Sequence, residues 1–258
     1  CSTALFAALF VAAVQEPMPT RAEGSSAQSV TRTLHVSVTQ KNGTPVLDMG
    51  AGDFEIKENG RLRALAAVRL ASTPLRVALL VSDHGSGQFQ LSALALAEAL
   101  LGHAEISIIG LIAQPERLLD YSGNAEALRN GLVRLARRTA TSRDSAAQLI
   151  ETILDTTKEI RRDGYRPAIV IMRTGGEDQT PIRSATVREA LRQSGAVMYA
   201  VSTVPDRLAP GDEGALTLAT VLGDGCRESG GRHIVTISTT LVPTMRQIAA
   251  ELVNQYEI

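Results

Sequence analysis

Two loops in this chain concentrate the side chains that could do chemistry. Asp83-His84-Gly85-Ser86-Gly87 follows the apolar run Leu75 to Val81, and Thr174-Gly175-Gly176-Glu177-Asp178 follows Ala168 to Met172. A third stretch offers the hydroxyls of Thr139, Thr141, Ser142 and Ser145. Carboxylates, hydroxyls and an imidazole can serve nucleophilic catalysis, phosphate binding or a hard cation, and each use demands its own spacing. A nucleophile elbow sets its serine in Gly-x-Ser-x-Gly, whereas glycines flank Ser86 directly. His233 is the only histidine after His103, and it opens a strand pattern. A serine hydrolase using Ser86 is therefore an alternative without its motif. The first loop has neither Gly-x-Gly-x-x-Gly nor a Gly-Lys-Ser/Thr end, so it is not a phosphate loop. His84 and His103 lack the partner spacing of transition-metal ligands. The carboxylate pairs Glu177-Asp178 and Asp212-Glu213 lie in Gly-rich loops, where solvated turns are the ordinary reading.

The elements that must hold these loops alternate between strand and helix from Pro74 onward. Leu75–Val81, Ile106–Ile112, Ala168–Met172 and Val197–Val201 are continuous apolar strands, with Arg117–Tyr121 able to pair beside the second and His233–Ile237 closing the set. Helical patterns fall at Gln88–Leu101, Ala125–Ala136, Ser184–Ser194 and Gly214–Leu222, the last stopped by Gly223, and at Pro243–Val253. A long helix opens at a capping-box pattern of Ser145 with Gln148. Buried strands alternating with helices predict an α/β fold: a doubly wound, mostly parallel sheet with helices on both faces.

Before it, residues 30–72 predict a small β-rich domain. Leu34, Val36 and Val38 alternate with polar residues, which puts His35 on the surface side. Lys41-Asn42-Gly43 and Asn59-Gly60 supply turns that tolerate positive φ. Residues 15–29, rich in Pro, Ser, Gly and charge, read as a linker. Residues 1–14, CSTALFAALFVAAV, match the apolar region of a signal peptide and are too short to span a bilayer. Ala12 and Ala13 precede polar residues as at a cleavage site. The rivals are an acylated Cys1 at a lipoprotein N-terminus and a buried N-terminal helix. Export is the expectation, to the periplasm or outside the cell, with no membrane span after cleavage.

The 258 residues suffice for one large α/β domain and a small companion. Apolar residues make up 44% and aromatics 3%, so the core must be built from Leu, Ile, Val and Ala. A formal net charge of −1 gives no case for nucleic acid or an anionic membrane. Arg134, Arg137, Arg138, Arg161 and Arg162 fall near helix ends and read as solvated. The two cysteines, Cys1 and Cys226, make neither a disulfide framework nor a metal cluster. Cys226 is expected to act as a small buried hydrophobe.

Several segments in order resemble a von Willebrand factor type A (VWA) domain. They are LRVALLV with the loop from Ser82 to Gly87, AIVIM with Arg173 to Asp178, VREALRQSGAVMYAVS (Val187 to Ser202), and ESGGRHIV (Glu228 to Val235) before a helix and Asn254-Gln255-Tyr256. Together with VSVTQKNGTPVLDMGAGDFEIKENG (Val36 to Gly60), they are similar to the bacterial VWFA-related family of exported proteins. The resemblance implies a Rossmann-like sheet in residues 73–258. Its ligand rim lies at the carboxyl ends of the strands, where strand order reverses. It also implies a metal-ion-dependent adhesion site of Asp-x-Ser-x-Ser, a Thr and an Asp. This chain departs from that pattern. With Asp83 first, Gly85 and Gly87 take the serine positions; with Ser82 first, the Asp is missing and only Ser86 matches. Gly175 stands where the later loop has its Asp. So few fixed oxygens should not offset the dehydration of Mg²⁺ or another divalent cation. The expectation is a non-enzymatic protein-binding or scaffolding module without cofactor or metal. Its partner-binding rim would comprise Asp83, His84, Ser86, Thr141, Glu177 and Asp178, and a divergent Mg²⁺-dependent adhesion domain is the alternative.

Overall fold

A computed structural model describes all residues except 1–30, 83–86, 113, 138–147, 176, 177, 179 and 206–211. The expected leader and linker thus lie outside the described residues. Short strands come first: β1 (His35–Ser37), β2 (Ile56–Glu58), β3 (Arg61–Arg63) and β4 (Arg69–Leu70). β2 and β3 form the antiparallel hairpin expected from Asn59-Gly60, both of which adopt positive φ (51° and 76°).

The alternating part follows: β5 (Leu75–Ser82), α1 (Gln90–Leu100), β6 (Ala104–Ile112), β7 (Gln114–Ser122), α2 (Ala125–Arg137), α3 (Leu149–Ile160), β8 (Arg166–Arg173), α4 (Ser184–Ser194), β9 (Val197–Ser202), α5 (Glu213–Thr220), α6 (Cys226–Glu228), β10 (His233–Val235), α7 (Leu241–Val253) and β11 (Gln255–Glu257). The six-stranded sheet has the order β10-β9-β8-β5-β6-β7. All its pairs are parallel except β6–β7. From β5 the chain winds outward through β6 and β7, then returns to the other side of β5 to lay down β8, β9 and β10. Strand order therefore reverses between β5 and β8, as in doubly wound sheets.

Residue alternation along each strand feeds two separate cores. Val77, Leu79, Val81, Val170, Met172 and Tyr199 pack with α1, α2 and α7. Ala78, Leu80, Ile169, Ile171, Met198 and Ala200 pack with α3, α4 and α5. Truncating one of these fully buried Leu or Ile side chains to Ala should cost about 2–5 kcal/mol.

One helix end differs from expectation. Gly223 does not stop α5; the chain continues through a π turn at Val221–Gly225 into α6. The wider turn lets Val221, Leu222 and Cys226 all reach the core.

The amino-terminal β region is not closed on itself. β11, the last strand, lies between β1 and β4, antiparallel to both. Tyr256 on β11 accepts the Met49 N–H (3.1 Å) and donates to the Val46 carbonyl (3.0 Å). Its ring packs on Phe54 with centroids 5.4 Å apart. Residues 33–258 accordingly form one compact unit.

Candidate functional site

The carboxyl ends of β5, β8 and β9 meet where strand order reverses. Each strand ends on a polar residue, and the register sets Ser82 beside Arg173 and Arg173 beside Ser202. Alternation places all three on the α3/α4/α5 face, and all are buried. The ladder runs one step further: Thr174 N–H donates to the Ser82 carbonyl, Thr203 to Arg173 and Thr236 to Ser202. The Ser202 hydroxyl lies 2.8 Å from His233 Nε2. That pair has a nucleophile–base outline, but Ser202 is wholly buried, so no substrate reaches it.

Arg173 is a buried charged residue of this end of the sheet. Its side chain is 1% exposed, at the end of the strand that flanks the switch point. Two residues on, Gly175 has φ +114°, and a Cβ there would sit 3.1 Å from Val204 Cβ. The backbone at Gly175 is thus shaped for a residue without a side chain.

Asp178 is fully buried rather than solvated. Its Oδ2 accepts the Ile150 N–H at 2.8 Å and its Oδ1 the Thr180 N–H at 3.1 Å. The first of these amides belongs to the first turn of α3, whose own boundary residue Gln148 makes no side-chain cap. Burial pushes the Asp178 carboxyl above its ordinary pKa, and Glu151 adds to this, while the amides of Ile150, Thr180 and Leu149 pull it back. Asp178 therefore positions α3 and does not present its carboxylate to a partner, a correction to the expected rim. The solvated-turn reading failed because the amide it serves comes from a distant segment. Asp83, His84, Ser86, Thr141, Glu177 and the Ser145 capping position lie outside the described residues.

A hard divalent cation needs several oxygen ligands. The described part of the rim offers it a poor set. Gly175 has no side-chain oxygen, and both Asp178 oxygens are engaged by N–H donors. Thr174 Oγ1 is buried without a partner, but it is a single neutral ligand. Among the described residues there is no group of three His, Cys, Asp or Glu able to hold a metal. The burial of Arg173 and the pairing of His233 with Ser202 are not legible in the sequence. The available signal was a polar residue closing each apolar strand.

No protein-family profile matches the chain, and no curated protein matches it in sequence. Several solved structures are similar. An aerotolerance-related membrane protein from Bacteroides fragilis, solved with multiple mutations to serine, shares 13% identity at TM-score 0.45, over 69% of this chain and 98% of that one. A von Willebrand factor type A structure from Catenulispora acidiphila shares 12% at TM-score 0.46, over 72% of this chain and 44% of that one. The manganese-loaded TRAP protein of Plasmodium vivax shares 11% at TM-score 0.42, over 74% and 79%. By the order and direction of its own strands, with helices on both faces and one antiparallel edge strand, the chain has the doubly wound, mostly parallel α/β fold that the sequence resemblance to VWA domains implies.

Proposed function

We propose that this chain is a non-enzymatic, exported protein-binding module whose partner contacts the rim at the carboxyl ends of β5 and β8 without a bound metal ion. The observation that carries the reading is the loop position Gly175, whose φ of +114° and 3.1 Å approach to Val204 leave no place for a ligating side chain. A divalent cation at that rim would gain no side-chain oxygen from Gly175 and would find both Asp178 oxygens already engaged by N–H donors. Partner contacts would instead be direct hydrogen bonds and ion pairs from Asp83, His84, Ser86, Thr141 and Glu177. Among the described residues no helix is long and apolar enough to cross a membrane.

Pull-down from the native envelope, comparing the wild type with a variant carrying Asp83→Ala and His84→Ala, tests the rim. Loss of a partner is expected; if every partner stays in place, the rim assignment is lost. Calorimetric titration with Mg²⁺, Mn²⁺ and Ca²⁺ tests the metal-dependent alternative. Micromolar binding abolished by Asp83→Ala would overturn the metal-free reading. Catalysis through Ser86 has less support, because His233 Nε2 is already engaged by Ser202. Labelling by a fluorophosphonate probe that is lost in Ser86→Ala would favour it.

A further inference from the structure

At the opposite pole of the sheet, the amino ends of β5 and β8 border a cavity of about 180 Å³. Ser72, Thr73, Pro74, Gly102, His103 and Arg166 line it, and among the described residues no carboxylate does. Arg166, the first residue of β8, is only 5% exposed. Its Nε donates to the Thr73 carbonyl at 2.8 Å. Its Nη1 donates to the Leu252 carbonyl at 2.9 Å and to Gln255 Oε1 at 2.7 Å. A guanidinium has five N–H donors. These three bonds exhaust Nε and Nη1, so the two hydrogens of Nη2 are the donors this cavity-lining residue has left for a ligand.

We propose that this cavity is a binding site for a small oxyanion, a carboxylate or a phosphate group, held by Arg166 Nη2 with Ser72 and His103 at its rim. Three neutral acceptors from Thr73, Leu252 and Gln255 fix the guanidinium plane but do not neutralise its charge. The nearest acidic influence is Glu257, whose carboxylate pairs with Arg69 at 2.6 Å. A buried charge without an adjacent counter-ion is costly, and a charge-assisted bond to an anion relieves that cost. The volume excludes larger ligands, since sites for drug-sized molecules span about 300–1,000 Å³. The orientation of Arg166 is set before any ligand arrives, which limits the entropy lost on binding.

The test is calorimetric titration of the full chain with sodium phosphate and, separately, sodium acetate, against sodium chloride at constant ionic strength. Saturable binding of one or both oxyanions, absent with chloride, is expected. Binding of phosphate alone or acetate alone assigns the source of the anion. Arg166→Gln also removes the ties to Thr73 and Leu252, so its loss of binding could reflect misfolding. Ser72→Asp is the informative variant, because it adds a carboxylate at an exposed edge of the cavity. It should keep the wild-type circular dichroism and weaken oxyanion binding by about tenfold or more. Failure of both anions to bind the wild type overturns the proposal, as does equal affinity in a folded Ser72→Asp protein.

Discussion

The carboxylate of Asp178 accepts the amide of Ile150 at 2.8 Å, although the two residues are 28 apart in sequence. A loop that leaves β8 thereby supplies the amino-terminal cap of α3. Replacing Asp178 with Ala would leave the buried amides of Ile150 and Thr180 without their acceptor. The expected loss is about 2 kcal/mol at neutral pH, within the range for lost caps and unsatisfied buried donors. The pH dependence follows from the raised carboxyl pKa. Protonation is easier in the folded state, so its stabilising contribution is full below the ordinary carboxylate pKa. It is lost as pH rises through the folded value. Urea denaturation across this range should show wild-type stability falling with pH relative to Asp178→Asn, which does not titrate. A flat difference would remove the assigned cause.

Gly175→Asp restores the carboxylate expected of the adhesion pattern, yet it should not create a metal site. The φ of +114° and the 3.1 Å approach to Val204 strain any side chain there. A destabilisation of about 1–3 kcal/mol is expected. Thermal melts with and without MgCl₂ provide the check: the midpoint should fall and remain insensitive to Mg²⁺. A Mg²⁺-dependent rise in this variant would show that the crevice accepts cations.

Cys226 is fully buried, and burial pushes its thiol up to about 12. The thiolate is the reactive form, so the native protein should resist iodoacetamide at Cys226 and react only after unfolding. Peptide mass spectrometry separates this residue from Cys1. Rapid native labelling of the Cys226 peptide would contradict the described packing around the π turn.

Arg232 grips Glu251 of α7 with both terminal nitrogens, and Tyr199 donates to the same carboxylate at 3.1 Å. Glu251 is 1% exposed. Removing the guanidinium by Arg232→Ala leaves a buried charge with only neutral donors. The cost should approach about 3 kcal/mol, at the low end for broken buried pairs because Arg232 itself is partly exposed. In a double-mutant cycle, the further change Glu251→Gln should recover part of that loss. Strict additivity would mean the pair is not coupled.

Much of the architecture is legible in the sequence, because burial on both faces writes long apolar runs into β5, β6, β8 and β9. α4 spans the predicted Ser184–Ser194, closed by Gly195 at φ +68°. β11 was invisible for a physical reason. Gln255-Tyr256-Glu257 has one apolar residue, and its partners lie at His35–Ser37 and Arg69–Leu70. The candidate site is less legible. Whether Asp178, Arg173 or Arg166 is buried depends on acceptors and donors contributed by distant segments, such as Ile150 and Leu252. Local spacing carries no trace of such pairings, so Glu177-Asp178 reads as a solvated turn.

The exchange between Leu34 and Ile258, two backbone bonds of 2.9 Å, has a mechanical consequence. Both residues sit at the same end of the β1–β11 ladder. Tension applied between them would open that ladder bond by bond, as a zipper, instead of shearing its bonds together. β1 pairs with no strand of the six-stranded sheet, so it can peel away while that sheet keeps its own pairing. In an optical trap this fuse should register as a small extension at low force, well before the main sheet yields.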